Sequence, residues 1–434
     1  MKAAGDVALI LLSVGLLVGS MGVVALAARH FAIAPELKRK IVHVATGGYA
    51  LTLPLTFADR WPVMLLVGVS LPVMLVLRSR RFVGTDLGAV LHSVERRSYG
   101  EIYLALAVAF LFFRSAGEPV LYVLPIAVVT LSDAAAALVG TAYGRRLFRV
   151  EGGTKSLEGV ATFFVVTWLV AMILLLLMSD TPRATVVVLG LFIAAFGALV
   201  EAQSWQGLDN LFVPIAIHLM LGEHLAAPAA SIAMLALSFV LLMGAIVYFA
   251  PVLRLTPHAA RGYAILIFLV LSYTAPHNAV LPVATIVIAS VARLHRPCSS
   301  PYPDLDLLAT VTAVSLFWLF VGEYFGKSAI DLFDLTFAAA AVILAAIALG
   351  RAARWWILPA AILALTTLSV VTPLNAPQSS WHGSLLPWAV AALATGAAVE
   401  LARPGWFDRW RAPRVFLASM PVPVALFVVK GIIG

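Results

Sequence analysis

Repeated apolar blocks constrain this chain more than any other feature. Runs of about 16–22 residues with few charges recur from one end to the other, the length a helix needs to cross about 30 Å of hydrocarbon. Residues 7–28, 158–178 and 230–250 are examples. In lipid every backbone N–H and C=O must be satisfied within the segment or by closed pairing, which leaves helices or barrels. The runs are continuous rather than alternating, which excludes a barrel. Composition agrees. Of 434 residues, 62% are hydrophobic and 12% charged, about half the charge of a soluble domain. The expected fold class is all-α, a polytopic transmembrane bundle of about 14–16 helices.

The expected helices lie near 7–28, 41–57, 61–77, 100–113, 119–140, 158–178, 184–201, 210–222, 230–250, 262–275, 279–292, 308–325, 335–349, 355–372, 384–401 and 414–433. The segments at 100–113 and 210–222 are short enough to be re-entrant. With the N-terminus outside, all of the 29 Lys and Arg except Lys2, Arg60, Arg114, Arg183, Lys327 and Lys430 fall on inside loops. That bias is the positive-inside pattern. It also accounts for the net charge of +8 without nucleic acid, because basic loops face anionic lipid. The expected location is an integral membrane protein, in a bacterial inner membrane, with its site facing the cytosol. The first block is longer than the apolar core of a signal peptide and reads as a retained helix. A single cysteine, Cys298, rules out an intramolecular disulfide and a cysteine metal cluster.

The halves differ. Residues 1–228 hold the long polar loops and most acids at helix ends; 229–434 has shorter, blander loops and reads as a second helical domain. Four segments of the first half carry candidate chemistry. Arg39, Lys40 and His43 lie close together at a helix start. A positive-inside anchor explains the cations but not the imidazole. The stretch Ser98-Tyr99-Gly100-Glu101 puts a carboxylate at a helix edge, which is costly unless it is paired or used.

Asp133 lies about two turns inside an apolar segment, and Gly140 follows on the same face, where a ligand or another backbone can approach. The Gly152-Gly153-Thr154-Lys155-Ser156 loop then enters a helix carrying Glu158 and Gly159. Free backbone N–H groups at such a start bind phosphate, Lys155 adds a mobile charge, and Ser156 is a plausible N-cap. The fourth segment, Glu201 to Asp209, Asn210 and Pro214, lies on an inside loop yet contains no cation. Its acids and amide, with Asp133, are candidate ligands for Mg²⁺, which favours one or two carboxylates plus substrate phosphates. The Gly322–Ser328 stretch imitates a phosphate-binding loop but lacks the first glycine and a preceding strand. His258, His277-Asn278 and His382 read as isolated loop residues.

Together, Arg39-Lys40-x-x-His43, Ser132-Asp133 with Gly140 and Gly144, Lys155-Ser156-Leu157-Glu158-Gly159, and Glu201 with Asp209-Asn210 and Pro214 resemble the polyprenol kinase family, which includes dolichol, phytol and CTP-dependent diacylglycerol kinases. The resemblance covers about residues 30–222. It implies CTP as phosphate donor, Mg²⁺ or another divalent cation, and a lipid alcohol (phytol, farnesol, dolichol or another polyprenol) as acceptor. It also implies that Arg39, Lys40, Asp133 and Gly140 matter for activity and that Gly153–Gly159 contacts the nucleotide. In the family that loop often reads Lys-Lys or Lys-Thr-Trp-Glu-Gly where this chain has Lys-Ser-Leu-Glu-Gly.

On this reading Arg39, Lys40, Asp133 and Glu201 are catalytic. His43, Gly140, Gly153, Thr154, Lys155, Ser156, Glu158 and Gly159 serve the nucleotide, and Asp133, Asp209 and Asn210 the metal. A related Asp…Gly…Lys-x-x-Glu-Gly stretch occurs in CTP:phosphatidate cytidylyltransferases, so that motif alone fits either chemistry. A transporter is the alternative of another class, although internal repeats and midplane sites, usual in transporters, are not visible.

Overall fold

The structure, a computed structural model, describes residues 2–31, 33–78, 99–115, 117–150, 153–380 and 383–429. Ser98, Gly152 and His382, the loop cations Arg80, Arg81, Arg96 and Arg97, and Lys430 lie outside the described residues. The rest is almost wholly helical. Eleven of the described helical stretches are long and apolar enough to cross a membrane. The protein is therefore an all-α polytopic membrane protein. The chain divides into two compact units, Met1–Ser238 and Phe239–Gly434.

The first unit contains α1 (Lys2–His30), α2 (Pro35–Thr56), α3 (Arg60–Leu77), α4 (Gly100–Arg114) and α5 (Val120–Tyr143). A two-stranded hairpin follows, β1 (Leu147–Val150) and β2 (Gly153–Ser156), and then α6 (Leu157–Met178), α7 (Arg183–Gln203) and α8 (Asp209–His224). Helix α9 (Ala229–Phe249) contains the division between the units. The short helices α4 and α8 have 15 and 16 residues, about 22–24 Å of rise, less than a full hydrocarbon crossing.

Helix α5 organises this unit by packing against α2, α6 and α8. Glycine permits the contact with α2, because a Cβ at Gly47 would collide with the Thr130 side chain. We expect Gly47→Val to destabilise the protein by about 1–3 kcal/mol through overpacking, read as a lower melting temperature in detergent.

The second unit contains α10 (Pro257–Tyr273), α11 (Val280–His295), α12 (Pro303–Tyr324), α13 (Ile330–Leu349), α14 (Ala353–Asn375), α15 (Leu386–Ala402), α16 (Arg411–Ser419) and α17 (Pro421–Leu426). Its hub is α13, where every residue from Asp331 to Ile347 except Ala345 is buried. Helix α13 starts five residues before the expected 335, so two acids that read as loop belong to it. The expected last helix at 414–433 is broken near Met420. Pro421 and Pro423 each lack a backbone N–H and cannot continue the ladder.

Candidate active site

The site begins on one face of α2. Pro35 presets the first turn of that helix, and Glu36, Arg39, Lys40 and His43 then recur at three- and four-residue spacing. Glu36 accepts two hydrogen bonds from Arg39, Nε to Oε2 at 3.2 Å and Nη2 to Oε1 at 2.5 Å. Burial pushes the Glu36 carboxyl up, but the Arg39 guanidinium outweighs it and holds the group below its ordinary value.

Lys40 Nζ donates to Asp133 Oδ2 at 2.5 Å, with the two residues only 2% and 6% exposed. His43 Nε2–H donates to the Val129 carbonyl at 3.0 Å and lies 3.4 Å from the same carboxylate oxygen. Thus α2 supplies the positive charge that lets α5 carry a buried acid. On the other side of Asp133, Thr167 of α6 donates to Ser132 at 3.0 Å.

The β1–β2 hairpin holds the second cation. Its register pairs Leu147 with Ser156, Phe148 with Lys155, Arg149 with Thr154 and Val150 with Gly153. Lys155 reaches across to α7, where Nζ donates to Glu201 Oε1 at 2.7 Å and to the Glu201 backbone oxygen. Ser156 caps α6 by accepting from the Gly159 amide at 3.1 Å. Leu157 N donates to Arg146 O at 2.9 Å, and the Glu158 carboxylate accepts from Arg146 N at 3.2 Å through both oxygens.

This corrects one expectation. Gly153–Ser156 is a strand rather than an open loop, and the Leu157 and Gly159 amides already have partners. Positive charge for an anion therefore comes from the side chains here, with no set of free amides at the helix start.

Gly140 also acquires a physical role. A Cβ there would sit 3.0 Å from Ser156 Oγ and 3.6 Å from the Gly159 Cα. The close neighbours of α5 here are the capping Ser156 hydroxyl and, behind it, the Gly159 backbone at the start of α6, and bare glycines on both sides let the two helices approach.

These elements enclose a cavity of about 370 Å³. Among the expected residues, Arg39, Lys40, Asp133, Gly140, Thr154, Lys155, Ser156, Gly159, Glu201 and Asp209 line it. His43, Gly153, Glu158 and Asn210 do not. His43 braces Asp133, Gly153 and Glu158 shape the hairpin, and Asn210 is buried with its side-chain oxygen unpartnered.

Glu101 stays outside the lining as well. It faces Arg78, 3.7 Å away, while Tyr99 N donates to Gln206 O at 3.1 Å and supports the far wall. That wall, Ser204-Trp205-Gln206-Gly207, lies within the cation-free Glu201–Asn210 segment, whose acids and amide alone are expected as site residues from sequence. Gln206 and Gly207 both take left-handed backbone angles, φ 53° and 88°, unusual for a non-glycine residue. Glu36 was also missed, although its spacing from Arg39 and Lys40 placed it on their face.

Among the described residues no group of three or more His, Cys, Asp or Glu side chains is close enough to hold a metal by itself. The lining does contain Asp133, Glu201 and Asp209, and the orphaned Asn210 oxygen follows Asp209 directly at the start of α8. Such a set fits Mg²⁺ when substrate phosphates supply the remaining ligands.

A phytol kinase of Synechocystis sp. is 34% identical to this chain over 212 residues, covering 47% of the chain and 88% of the relative. The chain belongs to the polyprenol kinase family. No family model matches the chain, and neither does any solved structure. The kinase match leaves more than half of the chain uncovered, so kinase family membership rests on one segment of the protein.

Proposed function

We propose that the protein is a kinase that moves the γ-phosphoryl group of CTP to the hydroxyl of a membrane lipid alcohol such as phytol, farnesol, dolichol or another polyprenol. One observation carries the reading: Lys40–Asp133, Lys155–Glu201, Arg39–Glu36 and Asp209 converge on one cavity at the ends of apolar helices. Phosphoryl transfer consists mostly of positioning and charge neutralisation, and this cavity offers cations and carboxylates beside helices long and apolar enough to cross a membrane. The alcohol oxygen would bond to the γ-phosphorus as the bond to the β–γ bridging oxygen breaks. CDP would leave, and the hydroxyl proton would pass to solvent or a lining carboxylate.

Charge balance supports a metal requirement. The lining contains Arg39, Lys40 and Lys155 against Glu36, Asp133, Glu201 and Asp209. With all seven ionised, the acids outnumber the cations, and each cation is already paired. A polyphosphate entering alone would meet no free positive charge. A divalent ion held by Asp133, Asp209 and Asn210 would neutralise phosphate charge when bound. The lysines could then exchange carboxylate partners for phosphate oxygens. The proposal places the cavity on the cytosolic side of a bacterial inner membrane, where the soluble nucleotide is available.

The test incubates full-length protein in lipid micelles with γ-labelled CTP, Mg²⁺ and a panel of lipid alcohols. Label on a lipid phosphate, absent with EDTA, is the expected result. Label released only as pyrophosphate would instead assign cytidylyl transfer. Unlabelled ATP, GTP and UTP as competitors then measure donor preference, and CTP is expected to compete most strongly.

A further inference from the structure

The second unit contains a polar cluster that the kinase reading does not use. The buried acids among the described residues are Asp133, Glu201, Asp304, Glu400, Asp331 and Asp334. Four of them have a Lys or Arg partner: Lys40 for Asp133, Lys155 for Glu201, Arg293 for Asp304 and Arg296 for Glu400. Among the described residues, no Lys or Arg pairs with Asp331 or Asp334, although these are the most deeply buried of the six, at 2% and 1% exposure. They stand three residues apart at the start of α13, within one helical turn of each other.

Neutral groups hold them in place. Asn375, at the end of α14, donates through Nδ2 to Asp331 Oδ1 at 3.2 Å and to Asp334 Oδ2 at 2.8 Å. Ser379 donates to Asp331 Oδ2. His277 Nε2–H donates to Asn375 Oδ1 at 2.8 Å, which fixes that amide with its NH₂ toward the acids. His277 is half-buried in a short 3₁₀ turn, Pro276–Ala279, while Asn278 beside it is fully buried rather than an exposed loop residue. His258 is buried too, at the start of α10.

Two further observations point to a missing partner. Asp334 Oδ1 is buried without a hydrogen bond. Asn278, next to His277 and 0% exposed, has neither its side-chain oxygen nor its nitrogen bonded. Two ionised carboxylates in an apolar bundle require compensating charge, and neutral donors orient them without supplying it.

We propose that Asp331 and Asp334 form a binding site for a hard cation in the second unit, separate from the nucleotide cavity. The donors are oxygens, from two carboxylates with hydroxyl and amide groups nearby. Oxygen-only sets select Na⁺, Mg²⁺ or Ca²⁺ over softer metals.

Purified full-length protein, without nucleotide, is melted in NaCl, MgCl₂, CaCl₂ and choline chloride at matched ionic strength. Binding of radioactive Na⁺ or Ca²⁺ is measured in parallel. At least one metal should raise the melting temperature above the choline value, with Asp334→Asn weakening the response and D331N/D334N abolishing it. D331N/D334N should leave the Mg²⁺ dependence of lipid phosphorylation unchanged, since neither residue lines the kinase cavity, which separates the two sites.

Identical melting in every salt with no labelled-ion binding overturns the proposal, and so does full binding by D331N/D334N. An infrared band from a protonated carboxyl that no metal alters would also overturn it, by identifying a bound proton. If the double variant fails to fold, the wild-type binding measurement still decides.

Discussion

Replacing Asp133 with Asn is expected to destabilise the folded protein by about 3–5 kcal/mol, because it strands the Lys40 ammonium in a site where both partners are almost fully buried. Asn retains the shape but not the charge. Lipid phosphorylation should fall by at least about 10²-fold, the scale seen when one oriented charge-stabilising group is lost from an active site. The double variant K40M/D133N separates the two effects. Removing both charges should restore most of the melting temperature, since a buried pair replaced by neutral groups is often tolerated. Activity should stay lost, because Lys40 is one of the three cations on the cavity wall. Recovery of both stability and turnover in the double variant would show that the pair is purely structural.

Lys155→Met should act on the nucleotide. Lys155 is tethered by the hairpin and held by Glu201, but its side chain retains 15% exposure toward the cavity. Loss of one charged hydrogen bond to a phosphate costs about 1.5–3 kcal/mol, so KM for CTP should rise about 10- to 100-fold. Glu201→Gln removes the competitor for the same ammonium. It should leave KM for CTP unchanged or lower while kcat falls. Initial rates at varied CTP with saturating lipid alcohol read both variants. Equal KM in Lys155→Met and the wild type would remove Lys155 from the phosphate site.

The two cations were legible in the sequence and their partners were not. Lys40 is separated from Asp133 by 93 residues and Lys155 from Glu201 by 46. Spacing along one helix shows which side chains share a face, as it did for Arg39 and Lys40. It carries no information about which helix lies opposite. The glycines show the same limit. Gly140 read as a place of close approach, but only the packed helices identify the approaching atoms as the start of α6.

The second unit contains the largest omission. Polar residues between 327 and 334 ended the apolar run, so α13 was expected to begin at 335. Tertiary contacts instead supplied partners that let Asp331 and Asp334 enter the helix.

By itself, the sequence determined the all-helical membrane class, because about twenty consecutive apolar residues have few other solutions in lipid. It also determined the set of polar residues available for chemistry. Tertiary structure decided how their charges are spent. Asp133 and Glu201 each received a lysine, the amides at the start of α6 were taken up by the hairpin and its cap, and Asp331 with Asp334 was left with neutral donors. The physical reason is that burying a charge is costly unless it is compensated, and compensation depends on distances between helices that no local pattern encodes.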